Sequence, residues 1–257
     1  MTVLLLTGAI NIEKNEVPFT KLKQTQERLR QYLNSIEYAI DNYETVSHII
    51  FCENTLYEYD YSELQQKAKV KNKILEVLSF QGDFQKVKQQ GKGYGEGEII
   101  QYVLTHSKSV QEVDFFYKLT GRVLVKNFDY IHRKSKSPTH FTTYHFLDKG
   151  KSNYVTTVFY KISKSLYNEK LLNAHKSVQD HKGKFLEVVF YDNLKEEKIK
   201  NFPIIPQLLG VSGSTGKGYD VSNRRIWIES LINKIGFRDM ILNNISQILL
   251  KVLTMAK

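Results

Sequence analysis

The chain has one cysteine, Cys52, one tryptophan and four prolines in 257 residues. A lone cysteine can form neither an internal disulfide nor a CxxC metal site, so a reducing compartment is expected. So few prolines, with 14 glycines, exclude fibrous and low-complexity architectures. No apolar run approaches the roughly 20 residues of a membrane-spanning helix. Residues 1–10 lack a basic leader, which predicts no signal peptide. Several chemical signatures are missing too. The seven histidines show no HExxH spacing, and no Asp-x-Asp or GxSxG occurs. Glu58-Tyr59-Asp60 comes nearest to an acidic pair, in a tyrosine-rich stretch that reads as solvated.

What is present is core-forming material and positive charge. Hydrophobic residues make up 41% and charged residues 25%, with 16 Tyr and 14 Phe, which is too apolar and aromatic for a disordered chain. Lys and Arg number 37 against 27 Asp and Glu, a net charge of +10. That excess calls for an anionic partner: nucleic acid, sugar nucleotide, lipid phosphate or an acidic membrane surface.

Residues 3–6 form a short apolar run ending in Thr7-Gly8, the pattern of a buried strand opening into a loop. Over residues 20–43, Leu29, Leu33, Ile36 and Ile40 mark one face of an amphipathic helix. Residues 48–52 read as a second buried strand, ending in Glu53-Asn54. Residues 61–72 are helix-like, 74–80 strand-like, and 97–106 predict a helix after a glycine-rich loop. A strand is expected from Val123, extending towards Ile131, and residues 133–151 read as a polar connection. A strand over 154–162 and a helix over 164–179 follow. Residues 185–191 fit either a strand or a helix, and 201–219 read as loop. Residues 224–257 form an amphipathic helical pattern that suits packing on the domain or an anionic lipid surface. Strands alternating with helices imply an α/β fold with a largely parallel sheet. Ligands of such sheets bind beyond the carboxyl ends of the strands, where Thr7-Gly8 and Glu53-Asn54 fall; both pairs are equally compatible with plain strand-ending turns.

Gly91-Lys92-Gly93-Tyr94-Gly95-Glu96-Gly97-Glu98 is the most unusual stretch. Its alternate glycines would let backbone amides approach a ligand, with Lys92 neutralising phosphate. It is not the dinucleotide fingerprint, because a glutamate stands where the third glycine belongs. Residues 210–219 have the look of a P-loop but misplace the first glycine and lack the Ser or Thr for magnesium. In Lys118-Leu119-Thr120-Gly121-Arg122, a cation on each side of a glycine turn suits a diphosphate, or simply the surface. Glu187, inside an apolar run, is a candidate general base, and Asp180 is its nearby alternative.

These stretches, with Asn127 and Gly210-Val211-Ser212-Gly213-Ser214, resemble bacterial glycosyltransferases of capsule, exopolysaccharide and O-antigen assembly. The resemblance implies a GT-A-like, Rossmann-type sheet flanked by helices, with residues 1–223 as the catalytic domain and 224–257 as a helical tail. Residues 1–131 would be the nucleotide-sugar half and 132–223 the acceptor half. It implies that Thr7, Gly8, Glu53 and Asn54 contact the nucleoside, and that Lys92, Gly93, Tyr94 and Glu96 line the donor loop. Lys118 and Arg122 would face the diphosphate, Thr120, Gly121 and Asn127 would also bind the donor, and Gly213 and Ser214 would lie on the acceptor side. Glu187 or Asp180 would deprotonate the acceptor hydroxyl. The implied reaction moves a sugar from a nucleotide diphosphate, UDP first, to a glycan or lipid-linked acceptor. The implied setting is the cytoplasm, at the inner membrane face. The missing Asp-x-Asp departs from the common pattern and puts metal dependence in doubt: a metal-independent enzyme with no cofactor is expected, with a divalent metal as the alternative. A basic nucleic-acid-binding protein is the alternative, weakened by the lack of a compact RNA-binding signature.

Overall fold

The computed structural model describes residues 1–13, 21–142, 154–197, 199–211, 216, 218 and 219. The expected helical tail over 224–257, like Gly213 and Ser214, lies outside them. In chain order, β1 (Val3–Gly8), α1 (Thr25–Asn42), β2 (His48–Glu53), α2 (Ser62–Val70) and β3 (Ile74–Ser79) come first. Then α3 (Phe84–Gln90), α4 (Lys92–His106) and the one-turn α5 (Lys108–Gln111) lead to β4 (Phe115–Thr120). After it come β5 (Leu124–Val125), α6 (Phe128–Lys134), β6 (His140–Phe141), β7 (Phe159–Ser163) and α7 (Lys164–Leu166). The chain continues through α8 (Leu186–Leu194), β8 (Lys200–Asn201) and β9 (Leu208–Leu209).

Seven strands form one sheet in the order β3-β2-β1-β4-β7-β6-β8, and β5 and β9 pair separately. The first four are mutually parallel, and β7 alone runs against its neighbours β4 and β6. The expected α/β architecture with a mostly parallel sheet is therefore what the chain forms.

Both faces of the sheet are covered, which is why its central strands read as continuous apolar runs. Val3 and Leu5 of β1 join Ile50, Phe116, Ile99 and Val103 in one core layer. Leu4 and Leu6 point the other way, to Leu29, Ile36, Ile40 and Phe51. The period of α1 is thereby explained: its apolar stripe is buried along its length.

The structure changes several expectations. The glycine-rich stretch is not a loop before a helix; Gly93, Gly95 and Gly97 are buried inside the first turns of α4. A Cβ on Gly93 would meet Leu186 Cβ at 2.8 Å, and one on Gly97 would overlap His175. Close packing outweighs the roughly 1 kcal/mol that each glycine costs a helix relative to alanine. Residues 115–120 are strand, although Lys118 hides the apolar pattern. The strand expected from Val123 stops at Val125, and α6 takes over at Phe128. The helix expected over 164–179 breaks into α7, a π-helical turn at Tyr167–Leu171 and a 3-10 turn at Ala174–Ser177. Residues 186–194 are helix, resolving the open choice there. Among the described residues, no helix is long and apolar enough to cross a membrane.

Candidate functional site

In the strand order, β2 and β3 lie on one side of β1 and β4 on the other. The order therefore reverses between the carboxyl ends of β1 and β4, the place where open α/β sheets leave a crevice. A cavity of about 330 Å³ opens there. Thr7, Gly8, Asn54 and Thr120 come from the strand ends, and Arg28 and Tyr32 from α1. Lys92, Gly95 and Glu96 of α4 face Thr157, Val158 and Glu187. Gly121 shapes this rim without lining it: its amide donates to Thr7 O at 2.9 Å, and a Cβ there would lie 2.7 Å from the same oxygen.

The α1 side is positive. Arg28 is buried, donating from Nε to Ala9 O at 2.7 Å, from Nη1 to Leu22 O at 3.0 Å and from Nη2 to Tyr32 Oη at 3.1 Å. Arg122 donates from Nη1 to Gln31 Oε1 at 3.1 Å, while its Nε is buried without a partner. Among the described residues, neither guanidinium is paired with a carboxylate. The two lie 5.8 and 5.9 Å from the Tyr32 ring centre. Burial pushes the Tyr32 phenol up, but the two arginines and its hydrogen bonds outweigh it and leave the pKa lowered. Burial also lowers the Arg28 pKa, with Arg122 adding to the effect. Two guanidiniums about one tyrosine ring supply planar donors of the kind that hold phosphate.

The opposite side carries carboxylates. Lys118, with no exposed surface, pairs with Glu96 and donates to Thr120 Oγ1 at 3.1 Å and to Thr157 O at 2.7 Å. Thr157 Oγ1 donates to Glu187 Oε1 at 2.9 Å. Glu187 is half-buried in the first turn of α8, facing the cavity.

The candidate residues thus divide. Thr7, Gly8, Asn54, Lys92, Glu96, Thr120, Arg122 and Glu187 line one cavity. Glu53 turns away: its carboxylate accepts from the Thr55 and Tyr57 amides and the Thr55 and Ser79 hydroxyls, tying the loop after β2. Lys118 lies beneath the cavity, with Glu96 as its counter-ion, rather than at a surface turn. Asn127 holds residues 205–207, donating to Ile205 O at 2.9 Å and accepting from Gln207 N at 2.8 Å. Gly93 packs on Leu186, and Tyr94 sits edge-on to His175, 5.1 Å between ring centres. Asp180 lies outside the lining set, buried against Gly91 at the start of α4. Burial pushes its pKa up to about 6, with Lys92 opposing the rise and Glu187 adding to it. Arg28, Tyr32 and Thr157 were not singled out in the sequence. An arginine and a tyrosine four apart on the buried face of an amphipathic helix are a usable signal for the first two; Thr157 has none. Among the described residues, no three His, Cys, Asp or Glu side chains converge to hold a metal ion. Cys52 is buried in β2, where burial pushes its thiol pKa up, consistent with an inert core thiol.

No family model matches the chain, and no curated protein matches it. Among solved structures, the glycosyltransferase GlyE of Streptococcus pneumoniae aligns at TM-score 0.48 and 8% identity, over 78% of this chain and 44% of its own. The chain therefore spans less than half the length of that protein. A nucleoside-diphosphate-sugar pyrophosphorylase of Vibrio cholerae aligns at TM-score 0.43 and 12% identity, over 78% of this chain and 90% of its own. HddC of Yersinia pseudotuberculosis aligns at TM-score 0.33 and 14% identity, over 65% and 78%.

Proposed function

We propose that the chain is a glycosyltransferase that moves a sugar from a nucleotide-diphosphate donor to the hydroxyl of a glycan or lipid-linked acceptor. The observation that carries this reading is one cavity lined both by two arginines with no carboxylate partner among the described residues and by Glu187. A cavity at a strand-order switch point, lined both by cations and by a carboxylate, suits a ligand whose anionic half leaves as its other half is attacked.

In this reading Arg28, Arg122 and Lys92 hold the diphosphate. Glu187 takes the proton of the acceptor hydroxyl as its oxygen attacks the anomeric carbon. The bond from that carbon to the phosphate oxygen breaks, and the nucleoside diphosphate leaves with its added charge facing the cationic side chains. The outcome is inversion. This reading assigns the leaving-group charge to these cations and is metal-free. A UDP-sugar is the first donor to try. Cell-surface polysaccharide assembly at an inner membrane face is the setting that the family resemblance implies. The positive side chains also converge on a concave cavity of single-ligand size, which favours a small anion over nucleic acid.

The test is nucleotide release and calorimetric binding over a panel of sugar nucleotides, with and without EDTA. Binding and EDTA-resistant release are expected. Failure to bind any member overturns the reading, and loss of turnover in EDTA overturns its metal-free form.

A further inference from the structure

We infer that Lys118 is a positioning residue that holds both cavity carboxylates in place, Glu96 directly and Glu187 through Thr157. The inference rests on the reading of Glu187 as the proton acceptor. It goes beyond that reading by giving a buried lysine, outside the lining set, control over the base.

Lys118 has no exposed surface, and an ammonium has three N–H groups. All three are committed: to Glu96 of α4, to Thr120 Oγ1 on its own strand at 3.1 Å, and to Thr157 O at 2.7 Å. A buried cation left unpaired is costly, so this arrangement is strongly specified. The strand pairing builds it. Lys118 stands opposite Tyr160 in the β4–β7 register, and Thr120 N donates to Val158 O at 2.8 Å. Thr157, 3% exposed, is thereby fixed above the ammonium. Its carbonyl is taken by Lys118, and its hydroxyl is left to donate to Glu187 Oε1 at 2.9 Å. That bond occupies one carboxylate oxygen and restricts the rotation of the group, leaving the other oxygen for an acceptor. One nitrogen thus ties α4, β4 and the segment before β7, and the Thr157 hydroxyl extends the link to α8. A carboxylate free to rotate would present the wrong geometry for most of the time, and misplaced catalytic groups lose rate rather than binding.

The direct variant, Lys118→Met, leaves the half-buried Glu96 beside an apolar chain and risks misfolding, so the decisive variants are at Thr157. Thr157→Val keeps the shape and removes the hydroxyl. It should lower kcat at least about 10-fold while donor Kd stays within about 2-fold, and Thr157→Ser should restore most of the kcat. Unchanged kcat in Thr157→Val, or loss equal in both variants, overturns the inference. A second measurement is independent of turnover: a double-mutant cycle on Tm with Thr157→Val and Glu187→Ala, each of which removes the hydrogen bond. Non-additive Tm shifts support the link, and additive shifts overturn it. A wild-type protein that binds no sugar nucleotide but shows the coupling would sink the transferase reading while keeping the Thr157–Glu187 tie.

Discussion

Gly97 of α4 is packed so closely on His175 that a methyl group at the glycine would overlap the histidine's Cβ. The same helix face presents Gly93 to Leu186, at 2.8 Å from a Cβ placed there. These glycines let α4 settle against residues 174–186, which brings Lys92 and Glu96 to the cavity that Glu187 also lines. At an exposed helical site, alanine for glycine would stabilise by about 0.5–1 kcal/mol. At Gly97 the sign reverses. Gly97→Ala should destabilise by about 1–3 kcal/mol through overpacking, read as a fall in Tm. A rise in Tm would mean that the helix has room at this turn.

Arg122 lines the cavity, its guanidinium held by Gln31 and without a carboxylate partner among the described residues. Arg122→Ala should weaken donor binding about 10- to 100-fold, the worth of one charge-assisted hydrogen bond. Arg122→Lys should recover only part of it, because a point charge lacks the planar fork. Calorimetry with one bound sugar nucleotide checks both. Unchanged affinity in Arg122→Ala would remove the side chain from the donor subsite.

Glu187→Gln removes the proton acceptor while keeping the size and the Thr157 contact. Transfer should fall by about 10²–10⁴-fold, the usual share of general base catalysis, with donor affinity nearly unchanged. The check is the ratio of kcat to donor Kd in wild type and variant. Full activity in the variant would assign the role elsewhere.

Asp180 gives a pH dependence of stability. Its folded-state pKa of about 6 stands above the ordinary carboxylate value, chiefly because the group is buried. The folded chain therefore binds this proton more tightly than the unfolded chain does. The stability it contributes is complete below about pH 4 and is lost as pH rises through about 6. Ionisation costs about 3 kcal/mol at neutral pH, as an order of magnitude. Asp180→Asn should match wild type in Tm near pH 4 and exceed it increasingly towards pH 7. Parallel Tm curves from pH 4 to 8 would show that the carboxylate is not strained by burial.

Much of the architecture was legible because it repeats a local pattern. The runs at β1, β2 and β3 are apolar and short, and Leu29, Ile36 and Ile40 mark the α1 stripe. Where the pattern is local but misleading, the reading failed. Lys118 broke the apolar run of β4, because a buried ammonium looks the same in sequence as a solvated one. Glycines 93, 95 and 97 looked like a loop, because propensity weighs the backbone alone and cannot see Leu186 or His175 arriving from about 80 residues further on. The paired segments β5, β6, β8 and β9 are two residues each, too short to carry a period.

The sequence by itself determined the class of fold, the strand ends at Thr7-Gly8 and Asn54, and an excess of cations seeking an anion. Hydrophobic period and net charge are properties of neighbouring residues and of sums, so they survive without a structure. Only the tertiary structure decided which charges meet. It set Glu53 to tie a loop and Asn127 to hold residues 205–207, and it placed Lys118 beneath the cavity. It also brought Arg28 of α1 beside Arg122, which follows β4. Burial and partnership govern what a titratable group can do, and both are fixed by chain segments far apart in sequence.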